Sequence, residues 1–313
     1  MEQAPEYHVP VLGPEASELL VSDANGVYVD ATLGGGGHAE LIARRLGPGG
    51  RLIGIDRDPA AVVETAGRFH RLGLKLETAT VPFWCLREAA GAAGAEQVSG
   101  VLFDLGVSSR QIDDPERGFS YRQDGPLDMR MGPDAKQTAA DVVNGYSEPD
   151  LLRVLREYGE ERQAGRIVRA LSRRRQDSPL LRTDDLRQVV VEATTGPHPQ
   201  KCLARVFQAV RIEVNGELAL LGSSLEQAAD LLVPGGRVVV LSYHSLEDRI
   251  VKNVFRNRVK GCTCPPDFPV CRCGFVPTLR LVTRRSMRAQ EAEVAKNPRS
   301  RSASLRAAER LPS

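Results

Sequence analysis

Short apolar runs alternate with amphipathic segments over the first third of the chain. The runs VYVD (27–30), RLIGID (51–56), LKLETA (74–79) and GVLFDL (100–105) are rich in β-branched and apolar residues and predict strands. Segments with helical spacing lie between them, such as DPAAVVETAGRF (58–69). Strands that alternate with helices form βαβ units, so the pattern predicts a parallel sheet with right-handed crossovers.

The alternation stops after residue 111. The next convincing strand is GRVVVLSY (236–243), which follows the amphipathic stretch VNGELALLGSSLEQAADLLVPGG (214–236). The intervening segment shows apolar stripes at helical spacing, and a doubly wound sheet does not need about 100 residues between two strands. The stripes comprise Leu151, Leu152, Leu155, Ile167, Val168 and Leu171. We therefore predict a core in two parts, 1–111 and 211–313, with an inserted helical domain at 112–210.

The last part of the chain carries a Cys-rich loop and a basic tail. The tail sequence NPRSRSASLRAAER (297–310) predicts a basic loop followed by a short helix. The loop CTCPPDFPVCRC contains Cys262, Cys264, Cys271 and Cys273. Disulfides are not expected in a chain without a leader. Two C-x-C pairs could instead hold a structural zinc ion, and the alternative is a set of free thiols in a Pro-rich loop.

Composition and charge limit the classes of function. The chain has 313 residues, of which 42% are hydrophobic and 26% charged, as in ordinary globular proteins. No apolar run approaches the roughly 20 residues of a membrane span. No charged leader precedes an apolar segment, so we expect a cytoplasmic protein without a membrane partner.

The net charge is only +2, but basic residues cluster in three places. Five lie between Arg249 and Lys260 with no acid among them, others fall on the helical run 151–175, and the tail is arginine-rich from Arg280 onward. A single cluster is usually a solvated surface. Several clusters in one chain favour a polyanionic partner.

Four glycines follow the first predicted strand, in DATLGGGGHA (30–39). Glycine allows positive φ and lets a ligand approach the backbone closely. Gly34, Gly36 and Ala39 also satisfy G-x-G-x-x-A, the pattern of nucleotide-cofactor loops. The alternative is a flexible surface turn, because this pattern alone is weak.

Acidic residues end three of the predicted strands. They are Asp30, Asp56 and Asp104, and the carboxyl ends of the strands are where a doubly wound sheet binds its ligand. Asp56 could accept both ribose hydroxyls of an adenosine. Asp30 and Asp104 would repel a pyrophosphate but suit a cation such as S-adenosylmethionine. A nicotinamide oxidoreductase and a non-catalytic RNA-binding factor remain alternatives, although the intact loop and acids count against the second.

Eight motifs along the chain together resemble the bacterial ribosomal RNA small subunit methyltransferase H (MraW) family, from His8 almost to the C-terminus. They are DATLGGGGHA, GIDRDP, LFDLGVSSRQIDDPERGFSY, GPLDMRM, YGEERQAGRI, VFQAVRIEVNGEL, SYHSLEDRIVK and NPRSRSASLRAAER. The resemblance implies an α/β fold, a Rossmann-like class I methyltransferase sheet with an inserted, mostly helical domain. It also implies S-adenosylmethionine-dependent N4-methylation of a cytosine in the decoding region of small-subunit (16S) ribosomal RNA. The substrate would be the RNA or the assembled small subunit, and a homodimer is left open.

The resemblance also assigns residues one by one. The implied cofactor contacts are Gly36, Gly37, His38, Asp56, Phe83, Asp104 and Gln111. The catalytic candidates come from position instead, because DLGVSS (104–109) stands after the fourth strand, where other amino-methylating enzymes have a D/S/N-P-P-Y loop. They are Asp104 or Ser108, with backbone carbonyls near Leu105 and Gly106, as acceptors for the amino group of cytosine. His244 in SYHS either shuttles a proton or orients the loop, and the second role is favoured. The segment DLGVSS (104–109) contains no cysteine. Methylation at carbon 5 of cytosine would need a cysteine there as the nucleophile.

Overall fold

The computed structural model describes residues 10–261, 264 and 273–312, and the chain divides into two compact units. The first unit joins Met1–Gly106 to Leu220–Ser313, and the second is Val107–Ala219. The predicted limits of the insertion, residues 112 and 210, both fall inside the second unit. In the described part of the chain, no helix is long and apolar enough to cross a membrane.

The first unit is built on a seven-stranded sheet in the order β3-β2-β1-β4-β5-β7-β6. Strands β1 to β5 pair in parallel, and β7 runs antiparallel between β5 and β6. This arrangement confirms the predicted α/β, Rossmann-like class. The strands are β1 Val27–Asp30, β2 Arg51–Asp56, β3 Glu77–Thr80, β4 Val98–Asp104, β5 Leu232–Ser242, β6 Leu279–Leu281 and β7 Ser304–Arg310.

Alternating side chains fill a core on each face of this sheet. Tyr28 and Leu102 point into one apolar cluster, whereas Val29, Val101 and Phe103 point into the other. Both faces are therefore covered, as expected for parallel strands. The helices of this unit are α1 Gly13–Leu20, α2 Gly37–Ala43, α3 Pro59–Leu72, α4 Leu86–Ala92, α12 Ser245–Lys260 and α13 Glu291–Lys296, and α11 Glu217–Leu231 brings the chain back from the second unit.

The predicted short helix near the C-terminus is wrong, because these residues form strand β7. Alanine and arginine favour helix locally, but pairing with β5 on one side and β6 on the other overrides that preference. Leu305 and Ala307 face one core and Ala308 the other. The strand predicted at 74–79 is also displaced, since β3 begins at Glu77.

The second unit is helical and has its own apolar core. Its helices are α5 Ser109–Asp113, α6 Ala139–Gly145, α7 Glu148–Glu157, α8 Ala164–Asp177, α9 Thr183–Ala193 and α10 Pro199–Asn215. Of the predicted stripe residues, Leu152 is partly buried and the other five are buried in this core. The GPLDMRM segment is held by Asn215, whose side-chain amide donates to the carbonyl of Met129 (2.7 Å) and accepts from the N–H of Met131 (2.8 Å).

Candidate functional site

The glycine loop between β1 and α2 has a fixed shape. The N–H of Gly34 donates to Asp56 Oδ2 at 2.7 Å. The Thr65 hydroxyl donates to the Gly34 carbonyl at 2.8 Å, and Arg68 donates to the Gly35 carbonyl at 2.9 Å. Gly36 has φ of 73°, and a Cβ there would lie 2.4 Å from Thr65 Cγ2. Glycine is therefore required at 36 both by the backbone conformation and by contact with α3.

Two aspartates, Asp30 at the end of β1 and Asp56 at the end of β2, lie beside the glycine loop in the chain or contact it. Asp30 is 1% exposed, accepts the N–H of Thr32 at 3.1 Å, and has its pKa raised to about 7 by burial. The pKa of Asp56 is also raised by burial, although the N–H groups of Asp58 and Gly34 oppose that shift. Asp30 is therefore poised between its neutral and ionised forms near neutral pH, and a bound cation would favour the ionised form.

His38 links the start of α2 to the end of β4. Its Nε2 lies 2.9 Å from the Val11 carbonyl, and its Nδ1 lies 3.3 Å from Asp104 Oδ2. Burial alone would lower the pKa of His38, but the Asp104 carboxylate holds it above its usual value. The ring is 6% exposed and faces oxygen atoms on both sides, so both nitrogens are placed to donate. His38, in the first turn of α2, therefore also positions the Asp104 carboxylate.

Tyr243 is a site residue that the sequence analysis missed. Its hydroxyl donates to Asp104 Oδ1 at 2.7 Å, and burial together with this carboxylate raises the pKa of Tyr243 well above its usual value. The Asp104 N–H also donates to the Thr32 hydroxyl at 2.6 Å. The signal in the sequence was the adjacency of Tyr243 to His244 at the end of β5, next to β4. Asp104 is thus fixed from both oxygens, while 28% of its side chain remains exposed.

Phe83 and His244 also lie at strand ends. Phe83 begins a short 3-10 helix after β3 and stacks edge-on against Phe103, with ring centroids 6.1 Å apart. His244 caps α12, because its Nδ1 accepts the Glu247 N–H at 3.4 Å and its Nε2 lies 3.1 Å from Glu247 Oε1. Both contacts lie within the first turn of α12, so proton transfer and orientation of the loop both stay predictions for His244.

Ser108 and Gln111 belong to the second unit and engage each other. The Gln111 N–H donates to Ser108 Oγ at 3.2 Å, and the Ser108 N–H donates to Gln111 Oε1 at 3.0 Å. This capping box begins α5. A cofactor contact by Gln111 and a catalytic role for Ser108 stay predictions.

Two further predicted features are the basic residues of α12 and the Cys-rich loop. On α12, Arg258 pairs with Glu226 and with Asp230, whereas Lys252 and Arg256 are exposed. Among the Cys-rich residues, Cys262 and Cys271 lie outside the described residues. Within the described ranges, no group of three or more His, Cys, Asp or Glu side chains is arranged to hold a metal ion. A zinc site in the Cys-rich loop therefore stays a prediction.

The chain is similar to proteins of one family along nearly its whole length. It matches the MraW methylase family over residues 6–311. Ribosomal RNA small subunit methyltransferase H of Carboxydothermus hydrogenoformans is 48% identical over 309 residues, covering 97% of this chain and 98% of that protein. The proteins of the same name from Geobacter sulfurreducens (48% over 310 residues) and Heliobacterium mobile (45% over 312 residues) each cover 97% of this chain and 99% of their own length. The similarity therefore extends over both units.

Proposed function

The chain belongs to the MraW methylase family, and we propose that it transfers a methyl group from S-adenosylmethionine to N4 of a cytosine in the decoding region of small-subunit ribosomal RNA. The relatives named above are small-subunit ribosomal RNA methyltransferases by name. The observation that carries the proposal is the set of three acids, Asp30, Asp56 and Asp104, around a rigid glycine loop at the carboxyl ends of the parallel strands.

The residues present suit S-adenosylmethionine. Asp56 uses both carboxylate oxygens to hold backbone N–H groups of Gly34 and Asp58, but each oxygen has a second lone pair that can accept a ribose hydroxyl. Asp30 and Asp104 supply negative charge for the sulfonium and ammonium groups. A pyrophosphate would be repelled by the same two acids, which disfavours a nicotinamide cofactor.

S-Adenosylmethionine would supply an electrophilic methyl group: the N4–CH3 bond forms as the S–CH3 bond breaks, S-adenosylhomocysteine leaves, and N4 gives up one proton to water. The protein has to prepare and align the nucleophile for this transfer. The lone pair of cytosine N4 is delocalised into the ring, and acceptors for its N–H groups would localise it. Asp104 is the proposed first acceptor, since Tyr243 and His38 fix its position and 28% of its side chain stays exposed. The carbonyls of Leu105 and Gly106 are the proposed second acceptors. To reach them, the cytosine has to leave its stack.

A methyl-transfer assay with product analysis tests this proposal. The purified protein is incubated with isotopically labelled S-adenosylmethionine and either small-subunit RNA or assembled subunits that lack the modification, and nucleosides are separated by mass spectrometry. We expect labelled N4-methylcytidine with the native protein and a large loss of turnover with Asp104→Asn, which keeps the shape but removes the charge. Label in 5-methylcytidine, or in no nucleoside of either substrate, would contradict the proposal.

A further inference from the structure

The exposed side of α8 carries a row of arginines. Arg166, Arg169 and Arg173 are spaced i, i+3 and i+7, so they lie on one face of the helix, and all three are exposed. The opposite face is buried through Ile167, Val168 and Leu171. At 1.5 Å per residue the row is about 10 Å long. We call these three residues the α8 arginine face.

These arginines have no acidic partner among the described residues. Arg166 donates to the Thr195 hydroxyl at 2.9 Å, and Arg169 donates to the Gly165 carbonyl at 3.1 Å. The nearest acid along the same face is Asp177, one turn beyond Arg173, and within the described part of the chain it forms no ion pair with Arg173. Three positive charges are thus left open to solvent and to a ligand.

Neighbouring arginines of the same helix are used differently. Arg175 donates to the carbonyls of Val143, Asn144 and Tyr146 at 3.0, 3.2 and 2.7 Å. Arg174 lies 3.8 Å from a carboxylate oxygen of Asp185. Arg174 and Arg175 thus contact a carboxylate or several carbonyls of the unit, whereas the three aligned arginines keep their positive charges without an acidic partner in the described part of the chain.

We propose that the α8 arginine face binds consecutive phosphates of the RNA substrate. Guanidinium groups bind phosphates through paired N–H donors, and a straight row of them suits a repeating chain of anions. Such contacts hold and orient the RNA without reading its sequence. The choice of RNA over another polyanion rests on the proposed function.

A binding experiment on the full chain tests the surface. The variant Arg166→Gln/Arg169→Gln/Arg173→Gln keeps helix-forming side chains and removes three charges. Its matched control is Arg71→Gln/Lys75→Gln/Arg87→Gln, which removes three exposed charges from the first unit. The affinity of each protein for single-stranded polyuridylate is measured as a function of salt, together with its affinity for S-adenosylmethionine and its melting temperature.

We expect the α8 variant to bind polyuridylate more weakly, with a log–log salt slope shallower by about 2, since each phosphate contact on a single strand contributes about 0.7. The control should keep the native slope, and both variants should keep their affinity for S-adenosylmethionine. An unchanged slope in the α8 variant, or an equal change in the control, would overturn the inference. Binding to phosphatidylserine vesicles is measured in parallel. If the α8 variant loses vesicle binding but keeps its polyuridylate binding, the result overturns the inference in favour of a membrane surface. Failure of the native protein to methylate RNA that it binds through this face would count against the proposed function alone.

Discussion

Replacing Gly36 with alanine should distort the glycine loop between β1 and α2 through a defined steric clash. The new Cβ would lie 2.4 Å from Thr65 Cγ2, and its next neighbours would be Phe69 Cε2 and Thr65 Oγ1, both at 3.4 Å. The Thr65 methyl cannot rotate away cheaply, because its hydroxyl is bonded to the Gly34 carbonyl and the side chain is fully buried. We expect a cost of about 1–2 kcal/mol for alanine at positive φ and about 1–3 kcal/mol for the overpacking.

A double-mutant cycle separates these two costs. Thr65→Ser removes the clashing methyl and keeps the hydroxyl, and alone it should cost about 1 kcal/mol for the lost buried methyl. The pair Gly36→Ala/Thr65→Ser should then be less destabilised than the sum of the single variants by about 1–3 kcal/mol, the share due to the clash. Urea unfolding followed by the fluorescence of Trp84, the single tryptophan of the chain, reports on this unit. Additive costs in the cycle would refute the proposed packing of the loop on α3.

Three further predictions concern the ligand, pH and metal. Asp56→Ala should weaken S-adenosylmethionine binding by roughly 1.5–3 kcal/mol in calorimetry, as expected for a charged hydrogen bond, and an unchanged affinity would remove Asp56 from the site. Because the pKa of buried Asp30 is raised to about 7, the folded chain holds a proton there that the unfolded chain loses near pH 4, so this residue lowers stability as pH rises from about 4 to 7. Asp30→Asn should flatten that part of the stability curve, and the same slope in both proteins would show that Asp30 is not the titrating group. If the Cys-rich loop holds zinc, elemental analysis should find about one equivalent that Cys271→Ser releases, whereas protein prepared without chelators and free of zinc would leave the free-thiol interpretation.

Features that depend on local pattern were predictable from the sequence. Strand β2 coincides with the predicted run 51–56, and Asp30, Asp56 and Asp104 end three parallel strands that are neighbours in the sheet. Such features follow from the periodicity of a short segment and from the position of a residue at the end of a strand, both of which can be read from a few neighbouring residues.

Features that depend on contacts between distant residues were not predictable. The Tyr243 hydroxyl meets Asp104 across neighbouring strands, and Thr65 supports the glycine loop from α3. Strand β7 looked helical because its local composition carries no sign of the two strands that flank it. In each case the deciding partner lies far away along the chain, and only the folded sheet brings the two together.

The most direct test of the proposed function is nucleoside mass spectrometry of small-subunit ribosomal RNA from cells with and without this protein. The RNA is digested into oligonucleotides so that each methylated cytosine can be assigned to a position. We predict that deletion removes an N4-methyl group from one cytosine of the decoding region, and that the native gene restores it while the Asp104→Ala gene does not. An identical set of N4-methylated cytosines in both strains, or a change confined to carbon 5, would contradict the assignment.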